Sequence, residues 1–187
     1  MKRTVLAAVL AAASFSSLAE VANYTIEPGH TYPSFEASHM GISVWRGKFN
    51  TSSGKVSLDR AAKTGTVDIS IDAKSVDFGH EKMNEHAAGP DFFNAEQFPA
   101  ITYKGKIAFK GKVPSTVNGE LTLLGITKPV KLTIKSFKCI DHPMLKKEVC
   151  GADVSGEFDR VDFGMTYGAK YGPTVAKLAI QVEAIKD

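Results

Sequence analysis

Apolar and polar residues alternate with a period of two along most of the chain, as expected of strands that bury one face. Val67, Ile69, Ile71 and Ala73 alternate with Asp68, Ser70 and Asp72. Ile101, Tyr103, Ile107 and Phe109 form a second series, Leu121 and Leu123 a third, and Val130, Leu132 and Ile134 a fourth. Ala176, Leu178, Ile180, Val182 and Ala184 repeat the pattern near the end, and Phe35, Ala37 and His39 do so near the start. Turn residues punctuate the runs at Ser52-Ser53-Gly54, Lys63-Thr64-Gly65, Lys110-Gly111-Lys112, Gly125-Ile126-Thr127 and Tyr171-Gly172-Pro173. Short links of this kind predict eight or nine strands with antiparallel neighbours.

The rhythm stops between Gly79 and Phe98. Glu81, Lys82, Met83, Glu85, Ala87 and Ala88 favour a helix, Gly89-Pro90 ends it, and Asp91 is placed to cap a turn carrying Phe92 and Phe93. One helical excursion in an antiparallel chain predicts an all-β fold, an eight-stranded antiparallel β-barrel with a helical lid around residues 80–94. A two-sheet sandwich is the competitor. The interior of such a barrel is either filled or just wide enough for one small ligand. Aromatic residues crowd the excursion, so a solid core and a lined tunnel closed by a flap both remain open at this point.

At 187 residues the chain suits one domain, and 43% hydrophobic with 23% charged residues excludes disorder and coiled coil. Met1-Lys2-Arg3, the apolar run Val5 to Ala13, and small residues at Ser17 and Ala19 are the three parts of a secretory signal peptide. Residues 1–19 are therefore expected to be removed, leaving residues 20–187 as a periplasmic or secreted domain. Removal leaves 21 Lys+Arg against 20 Asp+Glu, a net charge of +1 that gives nucleic-acid binding no bulk electrostatic support. In an oxidising compartment, Cys139 and Cys150 are expected to form a disulfide.

Catalytic and metal chemistry find little to build on. No G-x-S-x-G elbow or Gly-rich phosphate loop is present. Asp77, Glu81, Glu85 and Asp91 are explained by solvated charge and capping. His80 and His86 are six apart and would face different sides of one helix. His30 and His39 could join them only through the fold, and His142 lies in the polar stretch between the cysteines. No cofactor and no catalysis are expected, with a lipid-modifying enzyme or an envelope interaction module with a filled core as alternatives.

Several ordered motifs carry a resemblance. Ser75-Val76-Asp77-Phe78-Gly79-His80 through His86, then Asp91-Phe92-Phe93-Asn94 and Phe98-Pro99, are joined by His30 with Ser34-Phe35-Glu36, His39-Met40-Gly41 and Gly47-Lys48-Phe49. Gly119-Glu120-Leu121-Thr122-Leu123 with Gly125-Ile126-Thr127-Lys128-Pro129-Val130 forms a central motif, and Phe158-Asp159-Arg160 with Asp162-Phe163-Gly164-Met165 a closing one. Together these resemble the YceI-like family of exported lipid-binding proteins, from about Tyr24 to Ala184.

The resemblance implies an extended, lipocalin-like barrel whose pocket holds a polyisoprenoid or similar amphiphile, with a homodimer as an open expectation; no stable membrane insertion is expected, since no segment after the leader is apolar enough to span a bilayer. Phe35, His39, Trp45, Phe49, Phe78, Phe92 and Phe93 fall within the matching motifs and are ligand-binding candidates, with Met83, His86, Leu121, Leu123, Phe158, Phe163 and Met165 beside them. Met83 and Ala87-Ala88 stand where many relatives carry Arg, Leu and Arg. The loss of two cations near the mouth points to a neutral head, quinone-like or a fatty amide.

Overall fold

The computed structural model describes residues 21–187. The signal-peptide reading of residues 1–19 lies outside the described residues. Eleven strand segments form one antiparallel sheet: β1 (Ala22–Ile26), β2 (Tyr32–His39), β3 (Ser43–Phe49), β4 (Ser52–Asp59), β5 (Thr64–Asp72), β6 (Val76–Asp77), β7 (Ala100–Lys110), β8 (Val113–Leu123), β9 (Ile126–Asp141), β10 (Glu148–Asp159) and β11 (Val175–Lys186). Among the described residues a single α-helix, α1 (Glu81–Ala88), interrupts them.

Three pairs of segments are bent strands, which reduces eleven segments to eight. The bent strands are β1 with β2, β3 with β4, and β5 with β6: β1 pairs with β4 while β2 pairs with β3, and β4 pairs in turn with β5 as β3 does with β6. β11 closes the ring by pairing with both halves of the first bent strand, Ile26 opposite Ala184 and Ala37 opposite Ala176. The result is a closed eight-stranded antiparallel barrel. At the first bend a 3-10 turn, Pro28–His30, lifts the chain off β11. Buried Thr31 repairs the gap: its hydroxyl accepts from the Glu183 N–H at 3.0 Å and donates to the Glu183 carbonyl at 3.1 Å.

Ser52-Ser53-Gly54 does not make the turn expected of it. It opens β4, and the bend falls at Asn50 and Thr51. Gly54 is required there because its φ is +151° and a Cβ would lie 2.3 Å from the Asp68 carbonyl on β5.

The barrel is filled at one end. Tyr24, Ile26, Leu58, Tyr103, Ile107, Val117, Leu132 and Cys150 are all buried in one core. The Tyr103 hydroxyl donates to the Val130 carbonyl at 2.8 Å, and burial pushes its pKa up to about 12. Gly119 makes room for this ring, since a Cβ there would stand 2.6 Å from Tyr103 Cζ. A Cys139–Cys150 disulfide staples directly opposed residues of β9 and β10. Arg60 covers it, donating to both sulfurs, to Glu148 and to the Tyr24 hydroxyl.

The other end is open because β6 pairs with β3 alone among the described residues, and not with β7. Helix α1 and the turns at residues 90–97 fill that gap. Asn84 fastens the helix to the strand end: its Oδ1 accepts from Phe78 N–H at 2.7 Å and its Nδ2 donates to Asp77 Oδ1 at 3.1 Å. Hydrogen bonds from Gly79 N–H, Asn50 and Asn84 hold the Asp77 carboxyl below its ordinary pKa. The N–H groups of Phe93, Asn94 and Ala95 return to carbonyls of Ala87, Gly89 and Ala88. No described helix is long and apolar enough to cross a membrane.

Candidate functional site

The open end holds a cavity of about 740 Å³. Alternation in β2 and β3 turns Phe35, Ala37, His39, Trp45 and Phe49 inward; β7 and β8 contribute Ile101, Leu121 and Leu123. Phe78, Met83, His86, Ala87, Phe92 and Phe93 close it from the lid side, and Phe158, Met165 and Ala176 from β10, the loop beyond it and β11. The structure thus brings thirteen of the fourteen expected ligand-contacting side chains around one space.

Phe163 is the exception. It is 1% exposed and packs edge-on against Phe158, with ring centroids 5.2 Å apart, without lining the cavity. It sits at the end of a 3-10 turn, Arg160–Phe163, where strand alternation no longer assigns faces. Gly164, at φ +82°, then reverses the chain so that Met165 lines the space instead.

Two aromatic groups shape the walls. Phe35 contacts Phe49, Phe78 and Phe93 at 5.7, 5.6 and 5.9 Å, and Phe49 meets Phe93 at 5.2 Å. Gly47 lies under this group, and a Cβ on it would stand 2.8 Å from the rings of both Phe35 and Phe78. Nearer the surface, His86, Phe92 and Tyr167 meet edge-to-face at 5.0–5.6 Å. Edge-to-face pairs of this kind each contribute roughly 0.5–1.5 kcal/mol beyond area burial. They hold the lid on without filling the space beneath it.

The histidines are dispersed. His39 stacks on Trp45 at 4.8 Å, His30 bonds Glu27 at 2.6 Å, His142 accepts from Met144 and Leu145 N–H groups, and His80 precedes α1. Among the described residues, two groups place three potential metal-ligand atoms within 4.8 Å: Glu27–His30–Glu183 and Cys139–Glu148–Cys150. Neither contains two histidines, and the second holds the disulfide.

Sequence reasoning missed part of the lining: Ala37, Ala176, Tyr167, Tyr171, Arg160 and Lys170. The last two matter most. The helix does lack cations on its inner face, but the loop between β10 and β11 supplies two.

A profile of the YceI-like domain matches residues 24–184, the span of the barrel just described. The chain belongs to the YceI-like family. A UPF0312 protein from Shewanella denitrificans is 33% identical over the full length of both chains. Among solved structures, the YceI protein of Campylobacter jejuni superposes with a TM-score of 0.67 at 25% identity, covering 81% of this chain and 90% of that one. A polyisoprenoid binding domain from Saccharophagus degradans, implicated in plant cell wall breakdown, superposes at 0.60 with 12% identity, over 90% of this chain and 100% of its own. At that identity the second likeness speaks for the fold alone. The YceI-like fold seen here is therefore a barrel filled at one end and hollow at the other.

Proposed function

We propose that this protein is an exported carrier or store for a single-chain lipid, whose tail occupies the hollow end of the barrel without chemical change. The observation that carries this reading is the cavity itself: 740 Å³ walled by Phe, Trp, Met, Leu and Ile above a packed floor. Soluble ligand pockets span about 300–1,000 Å³, so the size is that of a binding site, not a packing defect. Membership of the YceI-like family supports it, as does the fold shared with a protein named for polyisoprenoid binding.

The volume bounds the cargo. At roughly 30 Å³ per non-hydrogen atom the space admits about 25 atoms, or four to five isoprene units. Longer polyprenyl chains would emerge through the mouth. Burying about twenty chain carbons at ~0.8 kcal/mol each gains on the order of 16 kcal/mol gross. Association itself costs about 4–15 kcal/mol, so the tail supplies a net gain of between about 1 and about 12 kcal/mol.

Mass spectrometry of an organic extract of the purified protein tests the reading. A stoichiometric single-chain amphiphile is expected. Protein that extracts empty and takes up no long-chain probe would contradict it. A neutral quinone or fatty-amide head is the second reading, favoured by Met83 and Ala87 on the helical wall.

A further inference from the structure

We infer that the cavity selects an amphiphile with an anionic head, an oxyanion such as a carboxylate or phosphate, held at Arg160 and Lys170. This deepens the carrier reading and rests on it. The cavity lining contains both of these cations and no Asp or Glu. One loop carries both, Arg160 opening the 3-10 turn after β10 and Lys170 within a second turn, Ala169–Tyr171. The neighbouring acids offset them only in part. Asp159 accepts from Val161 N–H, and Asp162 pairs with Lys128 at 3.7 Å. Among the described residues neither Arg160 nor Lys170 has a carboxylate in ion-pair contact.

Arg160 is half-buried and commits one N–H, on Nη1, to the Met165 carbonyl. That bond fixes the guanidinium against the wall and leaves the rest of its donor fork for a planar or tetrahedral oxyanion. Burial pulls its pKa below the ordinary value, with Asp159 opposing, so a bound anion would relieve a charge that the fold leaves under-compensated. Lys170 Nζ, over the Tyr171 ring at 4.9 Å, adds a second charge at the exposed rim. A neutral amide or quinone would leave both cations unmatched beside a low-dielectric space, whereas an anion pairs with them as its tail enters.

Matched probes separate head from tail: oleate against oleamide, and geranylgeranyl phosphate against geranylgeraniol, each titrated into delipidated protein at neutral pH. The anion of each pair is expected to bind roughly 10–100-fold more tightly, the range for a charge-assisted hydrogen bond. The anion-to-neutral ratio should fall several-fold in Lys170→Gln and approach one in Arg160→Gln. Lys170→Gln keeps the test open if Arg160→Gln fails to fold. The favoured pair assigns the anion to a fatty acid or a prenyl phosphate. Equal binding of anion and neutral partner would overturn the inference and leave the carrier reading standing. Failure of all four probes to bind would overturn the carrier reading itself.

Discussion

Filling the cavity from its wall distinguishes an empty chamber from a packed core. Ala176 is the second residue of β11, is 6% exposed, and lies opposite Ala37 on one side and Phe158 on the other, all three lining the space. Ala176→Phe adds six ring carbons, about 180 Å³ at ~30 Å³ each, which is close to a quarter of the 740 Å³ chamber. A fully seated tail would lose about six carbons of burial, or about 5 kcal/mol at ~0.8 kcal/mol each. Sliding toward the mouth recovers part of that. The expected net loss is about 2–3 kcal/mol, or roughly 30–150-fold in Kd. Competition against a fluorescent fatty acid reads the affinity, and urea unfolding reads the stability. Stability should hold or rise slightly, since the ring enters unoccupied space. A fall of more than about 3 kcal/mol with unchanged lipid affinity would mean overpacking of a solid interior, and the reasoning would fail.

Phe92→Asp should weaken lipid retention at least tenfold while costing about 1 kcal/mol of stability, because the aromatic partners of this half-buried ring are the outer residues His86 and Tyr167; equal losses in both assays would make it core. Phe93→Asp, set against Phe35 and Phe49, should lower both. Burial and, for Tyr24, the Glu148 bond raise the pKa values of Tyr24 and Tyr103 from 10.0 to about 12. A raised folded-state pKa gives stability that is complete below pH 10 and lost as pH rises toward 12, so tyrosinate formation and unfolding should coincide in that window. Glu148 behaves oppositely: burial raises its pKa, but bonds from Tyr24 and Arg60 hold it below 4.5 overall. Its contribution is present above that value and disappears as pH falls through the folded pKa, and Glu148→Gln should flatten the acid limb of a thermal-melt profile. Replacing Cys139 and Cys150 by Ser should cost about 2–3 kcal/mol in urea with little change in lipid affinity, because the bridge lies at the filled end.

The barrel was legible in the sequence because half-buried strands must alternate, and Val67–Ile71, Leu121–Leu123 and Ala176–Ala184 keep that period without interruption. The bends were not. They depend on partners far along the chain, such as Thr31 with Glu183, which no local pattern announces. Ser52-Ser53-Gly54 misled for a related reason: its glycine answers a close approach by β5, not a turn.

Motif and alternation together located the aromatic wall, but they assign a face only where the chain is extended. In the 3-10 turn after β10 that logic put Phe163 in the cavity and passed over Arg160. Lys170 was overlooked because a lysine in a loop is ordinarily solvated, and only the closed ring shows which loop overhangs the mouth. The neutral-head expectation was drawn from the helix alone and had no access to that loop.

The most direct test is crystallographic. Crystals of the protein with an oleate-length fatty acid brominated at its methyl end would report the tail position by anomalous scattering. The account predicts one bromine peak deep in the chamber, near Ile101 and Leu121 and above Tyr103, with the carboxylate toward Arg160. A peak at the protein surface, or none with the chamber closed by rearranged side chains, would contradict it.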